Sequence, residues 1–154
     1  MKFENIIVPT DFSNNASIAA PYAVDLAKTF YASVHLLHIF DAALYFTATA
    51  ADTYAVLAAT PTGWLATKYD ADEFKLRKLA ETLSAGGIAI RPVIRKGSPA
   101  LEIAQLAGEL PNPLIVIATH GRTGLAHLLM GSVAERVVRT SKCPVLTIPA
   151  SGKA

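Results

Sequence analysis

Five short runs in this chain, at residues 5–8, 33–39, 88–94, 114–118 and 145–148, are dominated by Ile, Val and Leu and lack a regular polar alternation. A strand with one wet face alternates polar and apolar residues, whereas a strand covered on both faces does not, as in a parallel sheet wrapped by helices. Amphipathic stretches fall between the runs, so the order reads strand, helix, strand, loop, helix, strand, helix, strand, helix, strand. That order predicts a doubly wound α/β fold. Pro92 sits inside the third run and has no N–H to give a ladder, which predicts an edge position for that strand.

The punctuation supports the same segmentation. A first helix is expected over residues 14–30, capped by Ser13 or Asn14, with Ile18, Tyr22 and Leu26 beside Ala19, Ala23 and Ala27 on its inner side. Pro21 should kink it unless its first turn begins late. A second helix over residues 70–84 carries Phe74, Leu76, Leu79, Ala80 and Leu83 as its apolar stripe and ends at Gly86-Gly87. The third begins Ser98-Pro99, a cap followed by proline at the first helical position, and stops near Gly108.

A chain of 154 residues with 52% hydrophobic content can bury one sizeable core, so a single domain over residues 1–154 is expected. The net charge of +2, with 17% charged residues and no basic run, gives no electrostatic footprint for DNA or RNA. No apolar stretch reaches about 18 uninterrupted residues, and the first residues lack a signal-peptide pattern, so neither a membrane span nor export is expected. The lone Cys143 cannot form an intrachain disulfide, which fits a reducing, cytoplasmic setting. Residues 41–67, rich in Ala and Thr with Tyr45, Phe46, Tyr54, Leu57 and Trp64, read as a crossover packed on the domain, with a lid or interaction surface as the sharper alternative.

Two loops carry chemistry. The first strand runs into Val8-Pro9-Thr10-Asp11-Phe12-Ser13, and in open α/β sheets ligands sit outside the carboxyl ends of the strands where strand order reverses. Asp11 could accept hydrogen bonds from ribose hydroxyls or approach a cation; it could equally form a turn or cap a helix. The second loop runs from Thr119 to Ser132 and contains Gly121, Arg122, Gly124, His127 and Gly131. A glycine-bearing loop that leaves a strand and feeds a helix presents backbone N–H groups at a positive dipole end, where phosphates settle. Ser132 with Glu135 three residues later also reads as a capping box. In the functional alternative, Gly131 permits close approach, and the amides of Gly131, Ser132 and Val133 with the Ser132 hydroxyl contact a phosphate. Gly121 and Gly124 could be simple turn residues, and Arg122 could reach a phosphate or be solvated.

His38, His120 and His127 do not share a metal-ligand spacing on one element, so no metal site is assigned. Cys143 before Pro144 reads as a small buried hydrophobe. No nucleophile–base pair is visible, and the loop lacks the Gly-Lys-Ser/Thr ending of a P-loop, so no catalytic residue is assigned and at most very slow ATP hydrolysis is expected.

The stretches Val-Pro-Thr-Asp-Phe-Ser at 8–13, Leu-Leu-His-Ile at 36–39, Ala-Thr-His-Gly-Arg-Thr-Gly at 118–124, Gly-Ser-Val-Ala-Glu-Arg-Val-Val at 131–138 and Cys-Pro-Val-Leu at 143–146 resemble the universal stress protein family, in the right order and over nearly the whole chain. The resemblance implies a five-stranded parallel sheet in order 3-2-1-4-5, a Rossmann-like arrangement of the adenine nucleotide alpha-hydrolase kind. Nucleotide-binding members carry glycine, two residues, glycine, nine residues, then glycine with Ser or Thr. Here Gly121, Gly131 and Ser132 match, while Ala118 stands at the leading glycine position, where a positive φ would cost about 1 kcal/mol or more.

By the same resemblance Pro9, Thr10 and Asp11 would line the adenosine end, Ile39 would touch adenine, and Gly121, Gly131, Ser132 and Val133 would hold phosphates. The expectation is an ATP-binding regulatory module of stress response, with Mg²⁺ bridging the phosphates. A homodimer is expected through the last strand, Val145 to Ile148, whose unpaired edge would otherwise be a hazard. The alternative is a dimeric interaction protein of the same fold that binds no nucleotide, for which Ala118 is the sequence argument.

Overall fold

The computed structural model describes residues 2–45, 63–85, 87–120 and 130–149. Five parallel strands, β1 (Asn5–Thr10), β2 (Ser33–Phe40), β3 (Ile90–Lys96), β4 (Pro113–Ala118) and β5 (Val145–Ile148), form one sheet in the order β3-β2-β1-β4-β5. The helices are α1 (Asn14–Ser17), α2 (Ala19–Phe30), α3 (Trp64–Ser84), α4 (Pro99–Glu109) and α5 (Ser132–Thr140), with a 3₁₀ turn at Ala42–Tyr45. The result is the expected α/β, Rossmann-like arrangement.

Side chains alternate across the pleat, so each strand feeds two cores. Ile6, Val8, Val34, Leu36, Leu114 and Val116 pack with Ala19, Ala20, Ala23 and Ala27 of α2 and with Leu76 and Ala80 of α3. On the opposite face Ile7, Leu37, Ile39, Ile115 and Ile117 meet Ala100, Ile103, Leu106 and Ala107 of α4 and Ala134 and Val137 of α5. Each fully buried Ile or Leu contributes about 2 kcal/mol of transfer free energy. The double burial is why these runs carry no polar alternation.

Several boundaries differ from the sequence reading. The first helix is two pieces, α1 and α2, and Pro21 falls in the first turn of α2, where its missing N–H costs nothing. The alanine stripe of α2 faces the sheet and turns Tyr22 outward, 53% exposed. Helix α3 begins at Trp64 rather than Asp70; its end is marked by Gly87, which takes φ +84° and whose N–H donates to the Ser84 carbonyl at 3.0 Å. Gly86 lies outside the described residues, as do residues 46–62 of the alanine- and threonine-rich segment. Strand β3 runs to Lys96, because Arg95 and Lys96 pair in register with Ile39 and Phe40 and backbone pairing does not require an apolar side chain. Pro92 lies on this edge strand, as expected.

At the amino-terminal end of the sheet, Asn5 donates from Nδ2 to the Pro111 carbonyl at 2.8 Å, which turns its Oδ1 toward His35 Nε2, 2.9 Å away. His35 is buried and lies in register with Arg91 of β3. Burial, and secondarily the Arg91 charge, hold its pKa below the ordinary 6.5. The unfolded chain therefore binds this proton more readily than the folded one. The stabilising contribution is whole above about pH 6.5 and declines as pH falls below it. The urea midpoint should drop between pH 7.5 and pH 5.5, and the drop should be smaller in His35→Gln; an equal drop would mean that other groups carry it.

Candidate functional site

The pairing of β1 with β4 stops early. Asn5, Ile6 and Ile7 pair with Pro113, Leu114 and Ile115, whereas β1 pairs with β2 as far as Thr10 and β4 with β5 as far as Ala118. The carboxyl ends of the two central strands thus part company at the point where strand order reverses. A proline in a central strand would ordinarily interrupt a ladder; Pro9 lies beyond the last β1–β4 pair.

Into this opening a cavity of about 420 Å³ is set, within the usual range for small-molecule sites. Its lining includes Pro9, Thr10, Asp11, Ile39, Ala118, Gly131, Ser132 and Val133, eight of the ten residues expected to form a site. Gly121 and Arg122, together with Gly124 and His127, lie outside the described residues.

The first loop is tightly tied. Asp11 Oδ1 accepts from the Ser13 N–H at 3.0 Å and from the Ser13 hydroxyl at 2.6 Å, and Ser13 Oγ in turn accepts from the Ala16 N–H at 3.1 Å, capping α1. Asp11 is therefore a turn former that also lines the cavity. Between them Phe12 adopts φ +62°, an uncommon state for a bulky residue, and its N–H donates to Thr10 Oγ1 at 3.1 Å.

Beneath this loop lies a pair that sequence reasoning missed. His38, 3% exposed, places Nδ1 2.8 Å from the Thr10 carbonyl. A carbonyl only accepts, so Nδ1 carries a proton. Nε2 lies 3.5 Å from Asp72 Oδ2 on α3, and the ring rests against Phe12 with centroids 4.3 Å apart. Asp72 is 7% exposed and its other oxygen is 3.8 Å from Lys75 Nζ. The expected stripe of α3 had Phe74 inward; Phe74 is 63% exposed, with Lys78 Nζ 5.9 Å above its ring, because Asp72, Leu76 and Ala80 share the inner face. An inward aspartate on an amphipathic helix, opposite a strand-end histidine, was the available signal.

The second loop re-enters at α5. Gly131 occupies the cap position with an extended backbone, φ −70° and ψ 155°, and Ser132 is the first helical residue. The expected capping box is accordingly displaced: Glu135 donates its N–H to the Gly131 carbonyl at 2.9 Å, and no side chain caps the helix. The Glu135 carboxylate pairs with Arg139 at 3.5 Å on the outer surface. Helix α4 also starts at the rim, with Ser98 at its cap position and Pro99 first in the helix; the Ser98 side chain makes no capping bond. Ala118 does not have a positive φ, and its methyl packs in the α2–α3 core. Burial pushes the Cys143 thiol up, the behaviour of a small packed hydrophobe. Among the described residues no cluster of three or more His, Cys, Asp or Glu suited to a metal is found, and no helix is long and apolar enough to cross a membrane.

Sheet order and crevice together define a doubly wound α/β protein with an open site at its strand-order switch. The universal stress protein family model matches residues 2–149, and the chain belongs to that family. The universal stress protein MJ0531 of Methanocaldococcus jannaschii is 32% identical over 146 residues, covering 95% of this chain and 82% of that one. The solved structure of MJ0577 superposes with a TM-score of 0.76 at 25% identity, covering 99% and 100% of the two chains. A universal stress protein solved in complex with cAMP shares the fold at a TM-score of 0.66 and 23% identity, covering 98% and 100%.

The buried pair makes an energetic claim. Asp72→Ala removes the buried carboxylate that faces His38 and Lys75 and should destabilise the fold by about 1–3 kcal/mol in urea titration. Phe74→Ala, on the same helix, should stay within about 0.5 kcal/mol of the native chain. Equal losses at the two positions would refute the inward role of Asp72.

Proposed function

We propose that this chain binds an adenine nucleotide, ATP with Mg²⁺ bridging its phosphates, and acts as a nucleotide-dependent regulatory module of stress response in the cytoplasm. The observation that carries the reading is the cavity at the strand-order switch, bounded on one side by Pro9, Thr10 and Asp11 and on the other by the start of α5. The first N–H groups of a helix have no intrahelical partners, and α5 has no side-chain cap to occupy them. Ser132 and Val133 therefore offer amides and one hydroxyl to phosphate, whereas the Gly131 N–H, expected to join them, is already given to the Thr119 carbonyl at 2.6 Å; Glu135, the nearest carboxylate on α5, is drawn off by Arg139. Asp11 and Thr10 would face the ribose, and Ile39 would lie against adenine. Gly121 and Arg122 enter this reading through the sequence pattern alone.

Two further points favour it. Ala118, the departure from the family's glycine pattern, carries no positive φ, so its methyl brings no backbone strain, which weakens the case for an empty crevice. A universal stress protein of this fold has been solved in complex with cAMP, which supports an adenine nucleotide as the ligand. When bound, Mg²⁺ would neutralise phosphate charge; no protein ligand for it is assigned.

ATP with Mg²⁺ should raise the melting temperature through its preference for the folded state, and calorimetry should give a saturable isotherm. Gly131→Val should abolish both while the unliganded fold persists, because the extended backbone at this position accepts a β-branched residue. No shift at millimolar ATP, or full binding by Gly131→Val, would overturn the assignment.

We also propose a homodimer through β5. The strand is a sheet edge, and Leu146 on it is 37% exposed. Pairing with the same strand of a second copy would satisfy its open N–H and C=O groups. Sedimentation should show a dimer at tens of micromolar that Leu146→Pro dissociates; a monomeric native chain, or a dimer indifferent to this proline, would refute the interface.

A further inference from the structure

The charge around the cavity is uneven. Asp11, Asp41 and Asp72 all line it; Asp72 is buried with Lys75 Nζ 3.8 Å away, so an entering anion meets chiefly Asp11 and Asp41. Among the described lining residues Arg136 is the one cationic side chain of Lys or Arg type set against them. It stands four residues after Ser132, one turn along the same side of α5, and helical side chains lean back toward the amino terminus. Its guanidinium therefore belongs over the turn that bears Ser132 and Val133. Its sequence neighbour Glu135 is held on the outer surface by Arg139, so that acid is engaged away from the cavity.

We propose that Arg136 determines how many phosphates this site prefers, by giving a bidentate hydrogen bond to the outer phosphates of a nucleoside triphosphate. The proposal rests on the adenine-nucleotide reading above and adds to it a residue and a selectivity. Backbone amides at the start of α5 reach only a phosphate seated on the helix end. The exposed Arg136 leans over this turn from the solvent side, where the phosphates beyond the first would lie. Asp11 and Asp41 work in the same direction, since negative charge at the cavity wall disfavours a triphosphate and the Arg136 charge offsets it.

The test is calorimetry on the whole chain and on Arg136→Gln with three ligands, ATP with Mg²⁺, AMP and adenosine. The variant should weaken ATP about five- to tenfold, AMP less than about twofold and adenosine not at all, as suits one exposed charge-assisted contact. Because Arg136 is exposed, the unliganded melting temperature should not move; Arg136→Lys should recover part of the ATP affinity. Unchanged ATP affinity in Arg136→Gln, or an equal loss for ATP and adenosine, would overturn the role while leaving the nucleotide reading intact. A native chain that bound none of the three would bring down the nucleotide reading, and this one with it.

Discussion

The early end of the β1–β4 pairing is the constraint on which the rest of the molecule turns. Two strands fully paired would close the middle of the sheet and leave no room between the loops that follow them. Three paired residues are enough to hold β1 and β4 together at their amino ends, where Ile7 and Ile115 fill the α4–α5 core. Beyond them each strand stays straight by pairing with its outer neighbour. The opening is thus stabilised by β2 and β5 rather than by anything within it. Its walls are rigid strand ends, and only the loops that leave them vary in chemistry.

The loop after β1 is braced from below through a chain of contacts that starts on a distant helix. Asp72 faces His38, His38 donates to the Thr10 carbonyl, and its ring supports Phe12 in a left-handed backbone state. Strain of this kind persists only where neighbours over-determine it. The same contacts place the Asp11 turn and the start of α1. A polar pair in a core position is a local violation of the apolar pattern, and such violations concentrate where a protein does its work.

Much of the architecture was legible because burial on both faces leaves an unmistakable mark. The run Val145 to Ile148 is β5 without revision, and Pro92 alone placed β3 at an edge. What the sequence hid was rotational. On α3 the alternatives Asp72 and Phe74 are two positions apart, and hydrophobicity chose the wrong one, because the histidine that draws Asp72 inward is on another element. On α2 the alanines, not Tyr22, face the sheet, since small residues let a helix lie close. Ser132 was read one position off because a serine before an apolar run looks like a cap, while the extended backbone of Gly131 takes that place. Arg136 carried no signal until the cavity gave its side of α5 a meaning.

The order of the strands also dictates how the chain must be made. β1 is the middle of the sheet, yet one of its two partners comes much later in the chain: Asn5 bonds to Pro111, 106 positions along. Until β4 has been synthesised, β1 and β2 can form only half a sheet, with Ile7 and Leu37 exposed where α4 will later cover them. Closing so long a loop is entropically slow, and an unpaired apolar strand is open to the wrong neighbour in the meantime. A protein of this topology is therefore most exposed to aggregation during its own synthesis.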